Sequence, residues 1–178
     1  IVFGVAGMCP DGMTGAILLM IAHTMAFLVL FFTTGAIYFQ TGYTEVDQLR
    51  GIGKKIPNMM FCFALASCVL MGIPPTMGFV GDWYTTQGAL SAISGPVASA
   101  GSAVFLIGEL FAAGYLLPIV LHGFFPGEEY SLKHEKVKVP SLYTRIPTLL
   151  LTGIVYVIGF CPMPLISFIH EAVSAMAL

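Results

Sequence analysis

The chain has 178 residues, 57% of them hydrophobic and only 9% charged, with a formal net charge of −2. Soluble domains carry roughly 25% charged residues, so a surface wetted all round is excluded and the bilayer is the expected solvent. The near-neutral balance leaves no basic footprint for nucleic acid.

The chain opens at Ile1 inside apolar sequence, and its first positive charge is Arg50. A signal peptide would show a basic start, so the expectation is an N-terminally incomplete chain. The first apolar segment, residues 12–39, holds no Asp, Glu, Lys or Arg and is long enough for a ~30 Å hydrocarbon core. Asp11 precedes it, suited to a helix N-terminus. Residues 44–51 form a short amphipathic stretch. The second segment, 57–72, starts at Pro57, a good first-turn residue, and is short for a span. Ile73-Pro74-Pro75 ends it, because proline removes a donor and disfavours helix before it. The third, 76–93, contains Asp82; the fourth, 98–125, contains Glu109 and is expected to be interrupted at Pro118. The fifth covers 143–160. A tail, 164–178, carries His170 and Glu171 and reads as interfacial or a partial span.

These runs show no strand alternation, and in lipid the backbone must satisfy its own polar groups, so helices are expected. Small residues such as Gly101, Ser102, Gly108 and Ala112 suit close helix contact where lipid gives no hydrophobic drive. The fold class is all-α: one polytopic transmembrane bundle over residues 1–178. All seven Lys and Arg fall in two loops, Arg50, Lys54 and Lys55 in one and Lys133, Lys136, Lys138 and Arg145 in the other. Counting three segments between them puts the loops on opposite faces, and the positive-inside rule favours the later loop as cytoplasmic by four against three.

Cys9, Cys62, Cys68 and Cys161 show no CxxC and no metal-ligand spacing; they read as small buried apolar residues. No Gly-rich phosphate loop appears either, so no cofactor or metal is expected in this chain. Three ionisable groups fall inside apolar segments: His23, Asp82 and Glu109. A carboxylate at a helix centre costs ~2.5–3.5 kcal/mol on insertion scales, and such groups usually face a bundle interior and mark ion paths. His23 is suited to relay protons through its two ring nitrogens. Each has a plainer reading: His23 as a hydrogen bond to a neighbouring helix, Glu109 as polar glue, Asp82 as a loop-end carboxylate in water. Asp82 is the strongest candidate because it follows a Gly/Pro break, and transporters build ion sites at discontinuous helices. His122, His134 and His170 lie near segment ends or in loops and read as solvated.

These pieces occur in a familiar order. Ile21-Ala22-His23, then Leu30-Phe31-Phe32 and Gly35, resembles the histidine-bearing helix of the antiporter-like subunits of respiratory complex I, Mrp sodium/proton antiporters and membrane-bound hydrogenases. Thr44, Asp47, Gly51-Ile52 and Pro57 are similar to the family's next loop. Gly72-Ile73-Pro74-Pro75, two residues, then Gly78-Phe79 matches its helix-break motif, and Tyr115-Leu116-Leu117-Pro118-Ile119-Val120 with Phe124-Phe125 is similar to Mrp D-type and hydrogenase-type members. The resemblance covers residues 12–168. It implies the second half of a 14-helix subunit with a discontinuous helix, and a key ionisable residue just after the motif, where Asp82 stands in place of Lys or Glu. Phe27 occupies a position where several relatives have lysine, which brings the chain closer to the complex I subunit 4 type. Glu109 matches no position of the pattern, and the family's first repeat, with its helix-5 Glu and helix-7 Lys, has no counterpart here.

The reading is a subunit that moves protons, with sodium exchange as a variant, in an energy-transducing membrane: a bacterial or archaeal plasma membrane before a mitochondrial inner membrane. Its expected partners are lipid, other membrane subunits including antiporter-like sisters, and redox subunits in a complex I or hydrogenase setting. The chain is not catalytic alone. The rival reading is a non-conducting subunit that packs such a complex; an intramembrane enzyme lacks a nucleophile-base pair or metal triad.

Overall fold

The computed structural model describes residues 1–6, 9–92, 96–126 and 137–176. Ile93, Lys133, His134 and Lys136 lie outside them. Among the described residues the chain is helical, without strands: α1 (Val2–Ala6), α2 (Pro10–Thr41), α3 (Pro57–Leu70), α4 (Met77–Ala92), α5 (Pro96–Phe124), α6 (Leu142–Phe160) and α7 (Met163–Met176). Between α2 and α3, residues 44–51 begin with a 3-10 turn, Val46–Leu49, held by a reciprocal Glu45/Gln48 capping box.

α2 is the axis of the bundle. At 32 residues and ~1.5 Å per residue it is ~48 Å long. Its start is fixed by Cys9, whose Sγ accepts from Gly12 N at 3.3 Å and donates to the Gly88 carbonyl of α4 at 3.2 Å. α3 and α4 both run antiparallel to it. Thr34 and Ile37 face Met60 and Phe63, Ala26 and Val29 face Ala66 and Val69, and further along Leu19 meets Gly81, Gly15 meets Thr85 and Gly12 meets Gly88. The two helices are therefore halves of one rod broken at residues 71–76. Glycine makes the contacts close, as expected where packing rather than hydrophobicity holds helices together.

This corrects the sequence-based count. Segments 57–72 and 76–93 make one broken crossing, so two passes, not three, separate the basic loops. Lys54, Lys55 and Arg145 line a single cleft at one end of the bundle. The apolar runs look separate in sequence because the break interrupts them, but the rod keeps its direction.

α5 returns antiparallel to that rod, with Gly101 on Phe3, Glu109 at Gly72 and Gly123 on Met60. The expected interruption at Pro118 is absent: the helix is continuous through it. Proline there leaves the Gly114 carbonyl, one turn earlier, without its helical donor and crowds it with the ring. α6 runs antiparallel to α2, from Ser141 and Thr144 beside Phe39 and Gln40 to Gly159, which presses on Pro75, Thr76 and Met77 at the first break. Tyr156 ties it to α3 by donating to the Leu65 carbonyl at 3.1 Å. After Cys161-Pro162, α7 packs on α2 through Ile166, Ile169 and Val173. His170 Nδ1 lies 3.7 Å from Asp11 Oδ1 at the start of α2. α6 and α7 thus form a second broken rod along the same axis.

Three described helices, Pro10–Thr41, Ser99–Phe124 and Leu142–Phe160, are individually long and apolar enough to cross a membrane.

Candidate functional site

The site is built on the end of α3. Gly72 has φ 62°, in the left-handed region that glycine enters without a Cβ penalty. Its N–H donates to the Val69 carbonyl at 3.3 Å and the Ile73 N–H to the Cys68 carbonyl at 3.1 Å, the paired bonds of a Schellman cap that satisfy carbonyls freed at the helix end. Thr76, buried, caps α4 by accepting from Phe79 N at 3.3 Å. Gly78 lies so close to the Val69 carbonyl that a side chain there would collide with it. The break is thus a closed, hydrogen-bonded turn between two pressed helix ends.

Gly72 has a second role. A Cβ there would sit 2.6 Å from Asp82 Oδ2 and 3.0 Å from Glu109 Oε2. Both carboxyls therefore converge on the one backbone position with no side chain. Asp82 is one and a half turns into α4, and its side chain points back toward the helix start and the break. Glu109 stands 13 residues after Pro96 and 15 before Phe124, the middle of α5. The two carboxyls thus approach each other from α4 and α5 over the same glycine. Two carboxyls hydrogen-bond to each other only when one of them holds a proton. Asp82 is 9% exposed. The other oxygen of Glu109, Oε1, is buried with no partner among the described residues, and so is Thr85 Oγ1, one turn beyond Asp82. Ser102, also buried, precedes Glu109 by two turns on α5.

Of the motif residues, Gly72 and Gly78 act from the inside. Ile73, Pro74, Pro75 and Phe79 face outward, Phe79 with its ring 6.4 Å from that of Trp83. His23 is not joined to the acid pair by any contact. Its Nδ1 is 2.8 Å from the Leu19 carbonyl; a carbonyl only accepts, so Nδ1 carries the hydrogen and Nε2 is the ring's acceptor nitrogen. Because Leu19 meets Gly81 in antiparallel register, His23 sits roughly 7 Å along the axis from the level of Asp82. The ring also stands 6.3 Å from Phe27, the position where several relatives have lysine.

The partnership of Asp82 with Glu109 is the feature that sequence reasoning missed. Both residues were visible as intramembrane acids; nothing in the sequence set the rotation of α5 against α4.

Residues 1–108 match the family described as NADH:quinone oxidoreductase/Mrp antiporter, transmembrane. The chain belongs to this family. Among relatives of the NADH:quinone oxidoreductase/Mrp family, subunit N of the NADH-quinone oxidoreductase of Desulforudis audaxviator is 32% identical over 127 residues, 71% of this chain and 25% of that protein. The fold matches a chain of respiratory complex I from Thermus thermophilus with TM-score 0.80 and 25% identity, covering 98% of this chain and 35% of that one. A chain of the Mrp complex from Dietzia matches with TM-score 0.79 and 22% identity, covering 96% and 39%. The chain thus spans a quarter to two-fifths of the length of these family members, and like them it is an integral membrane protein with an antiporter-like fold. Glu109 is the first residue past the matched range.

Proposed function

We propose that the protein is a proton-translocating membrane subunit of a respiratory or antiporter complex, with the Asp82–Glu109 pair as its exchanging centre. The observation that carries this reading is the convergence of two carboxyls on Gly72 at a helix break, close enough to share a proton. Adding a second proton to such a pair, or removing the shared one, changes its charge, and removal leaves two acceptor-only carboxylates that repel; either step is a translocation event. The unpartnered Glu109 Oε1 supplies the acceptor through which the pair meets an incoming proton carrier. His23 passes protons through Nε2 across the remaining distance, by way of a bridging group. A cation such as sodium, bound by both carboxylates when both protons have left, is the antiport variant of the same cycle.

Arg50, Lys54, Lys55, Lys138 and Arg145 gather at one end of the bundle, and the positive-inside rule turns that end to the cytoplasm. The exposed apolar strip of α5, with Val104, Leu110 and Phe111 each about 70% exposed, faces lipid or sister membrane subunits. Redox chemistry belongs to partner subunits.

The competing reading, a non-conducting packing subunit, is favoured by the tight glycine contacts along α2 and α4. Packing alone gains nothing from a buried and a half-buried acid, which cost free energy inside a membrane bundle. The test is Asp82→Asn in the intact complex reconstituted into proteoliposomes. Proton transport is expected to be lost with assembly preserved; normal pumping would sink the proposal.

A further inference from the structure

A cleft of about 450 Å³ opens at the cationic end of the bundle, lined by Lys54, Lys55, Asn58, Met59, Val139 and Arg145 among its residues. It is formed where the loop before α3 meets the start of α6. No carboxylate lines it, and Lys55 and Arg145, both half-buried, form no ion pair among the described residues. Lys54 at its edge has a further interaction within the protein, so Lys55 and Arg145 carry the argument. Two converging cations without a counter-charge leave an anion as the group that completes the site. The cleft also receives the start of α3, which has no side-chain cap, so the first backbone N–H groups of that helix add partial positive charge.

The surroundings specify the anion. Leu142, Tyr143 and Ile146, next to Arg145, are exposed on the outside of α6, so apolar surface and a tyrosine lie beside the charged pocket. Tyrosine is enriched where headgroups meet hydrocarbon, and basic pockets between transmembrane helices take anionic headgroups. We propose that this cleft seats the phosphate of an anionic phospholipid, with its acyl chains running down the outer face of α6. The planar guanidinium of Arg145 is suited to grip two phosphate oxygens, and Lys55 supplies a point charge from the opposite wall.

The test uses the protein in its intact complex, solubilised and equilibrated with mixed micelles of phosphatidylglycerol or phosphatidylcholine, with retained lipid read by native mass spectrometry. Phosphatidylglycerol should be retained and phosphatidylcholine washed away. The double variant Lys55→Gln/Arg145→Gln should lower phosphatidylglycerol affinity roughly tenfold or more, while Lys55→Arg/Arg145→Lys should keep most of it, which separates lost charge from misfolding. Arg50→Gln, on the same face but outside the cleft, should change it little. Equal retention by the double variant, or an equal loss in Arg50→Gln, would overturn the site. Displacement of the lipid by millimolar inorganic phosphate alone would overturn its identity as a lipid and leave a site for free phosphate.

Discussion

The bundle contains two broken rods, and the two breaks differ in kind. Between α3 and α4 the chain turns through Gly72, Pro74 and Pro75, and two acids converge on the turn. Between α6 and α7 it turns through Cys161 and Pro162, and no acid of the described residues meets it; its neighbour Gly159 instead presses against Pro75, Thr76 and Met77. Proline breaks a helix in both places, so a break is not itself an ion site. What sets the first one apart as the proposed site is a glycine that leaves room for two carboxyls, and a facing helix that supplies the second carboxyl. The second break serves as the clamp that holds the first in place.

The sharpest way to break this distinction is Gly72→Ala. The methyl group would occupy a left-handed backbone position, a cost of ~1–2 kcal/mol, and would lie 2.6 Å from Asp82 Oδ2. Transport is expected to be abolished and the thermal midpoint lowered, whereas Gly35→Ala, with no atom within 4 Å of the new Cβ, should leave both nearly unchanged. If the two substitutions act alike, the crowding at Gly72 is not what matters.

Next in size is the clamp. Gly159→Ala places a Cβ 2.6 Å from the Pro75 carbonyl oxygen and 2.8 Å from Met77 N, and overpacking of this kind costs ~1–3 kcal/mol. Stability of the purified complex should fall and transport should weaken without vanishing, because the acids remain.

The pair itself is tested by coupling. Asp82→Asn and Glu109→Gln should be non-additive in stability by ~0.5–3 kcal/mol, as for side chains in one hydrogen-bond network; simple additivity in thermal unfolding of the two single variants and the double variant would mean that the carboxyls do not act together. The smallest effect belongs to the ties on the second rod. Tyr156→Phe removes one hydrogen bond to the Leu65 carbonyl and should cost ~1 kcal/mol in stability. The half-exposed His170–Asp11 pair should contribute under ~1 kcal/mol, so His170→Ala should leave the melting curve almost in place.

Much of this was readable from the sequence, because apolar runs, prolines and intramembrane charges are local signals. The 12–39 segment grew only by a turn at most at each end to become Pro10–Thr41, and the break after Leu70 follows directly from Ile73-Pro74-Pro75. Direction was not readable. Whether a broken run reverses or continues depends on what it packs against, and the glycine contacts of Gly81 and Gly88 along α2 are long-range. That one missing fact placed the basic loops on opposite faces. Pro118 predicts an interruption because the rule for proline is local, while the helix around it is held by contacts at both ends, Gly101 with Phe3 and Gly123 with Met60. Glu109 was recognised as costly in lipid, but its partner is 27 positions away, on a helix whose rotation the sequence does not encode in any short motif.

The central claim is that Asp82 and Glu109 hold one exchangeable proton between them. Infrared difference spectroscopy of the intact complex at rest and in turnover reads it most directly, through the carbonyl stretch of protonated carboxyls. A band that changes during turnover and disappears in both Asp82→Asn and Glu109→Gln is the predicted result. A band indifferent to turnover, or one that survives in either variant unchanged, would contradict it.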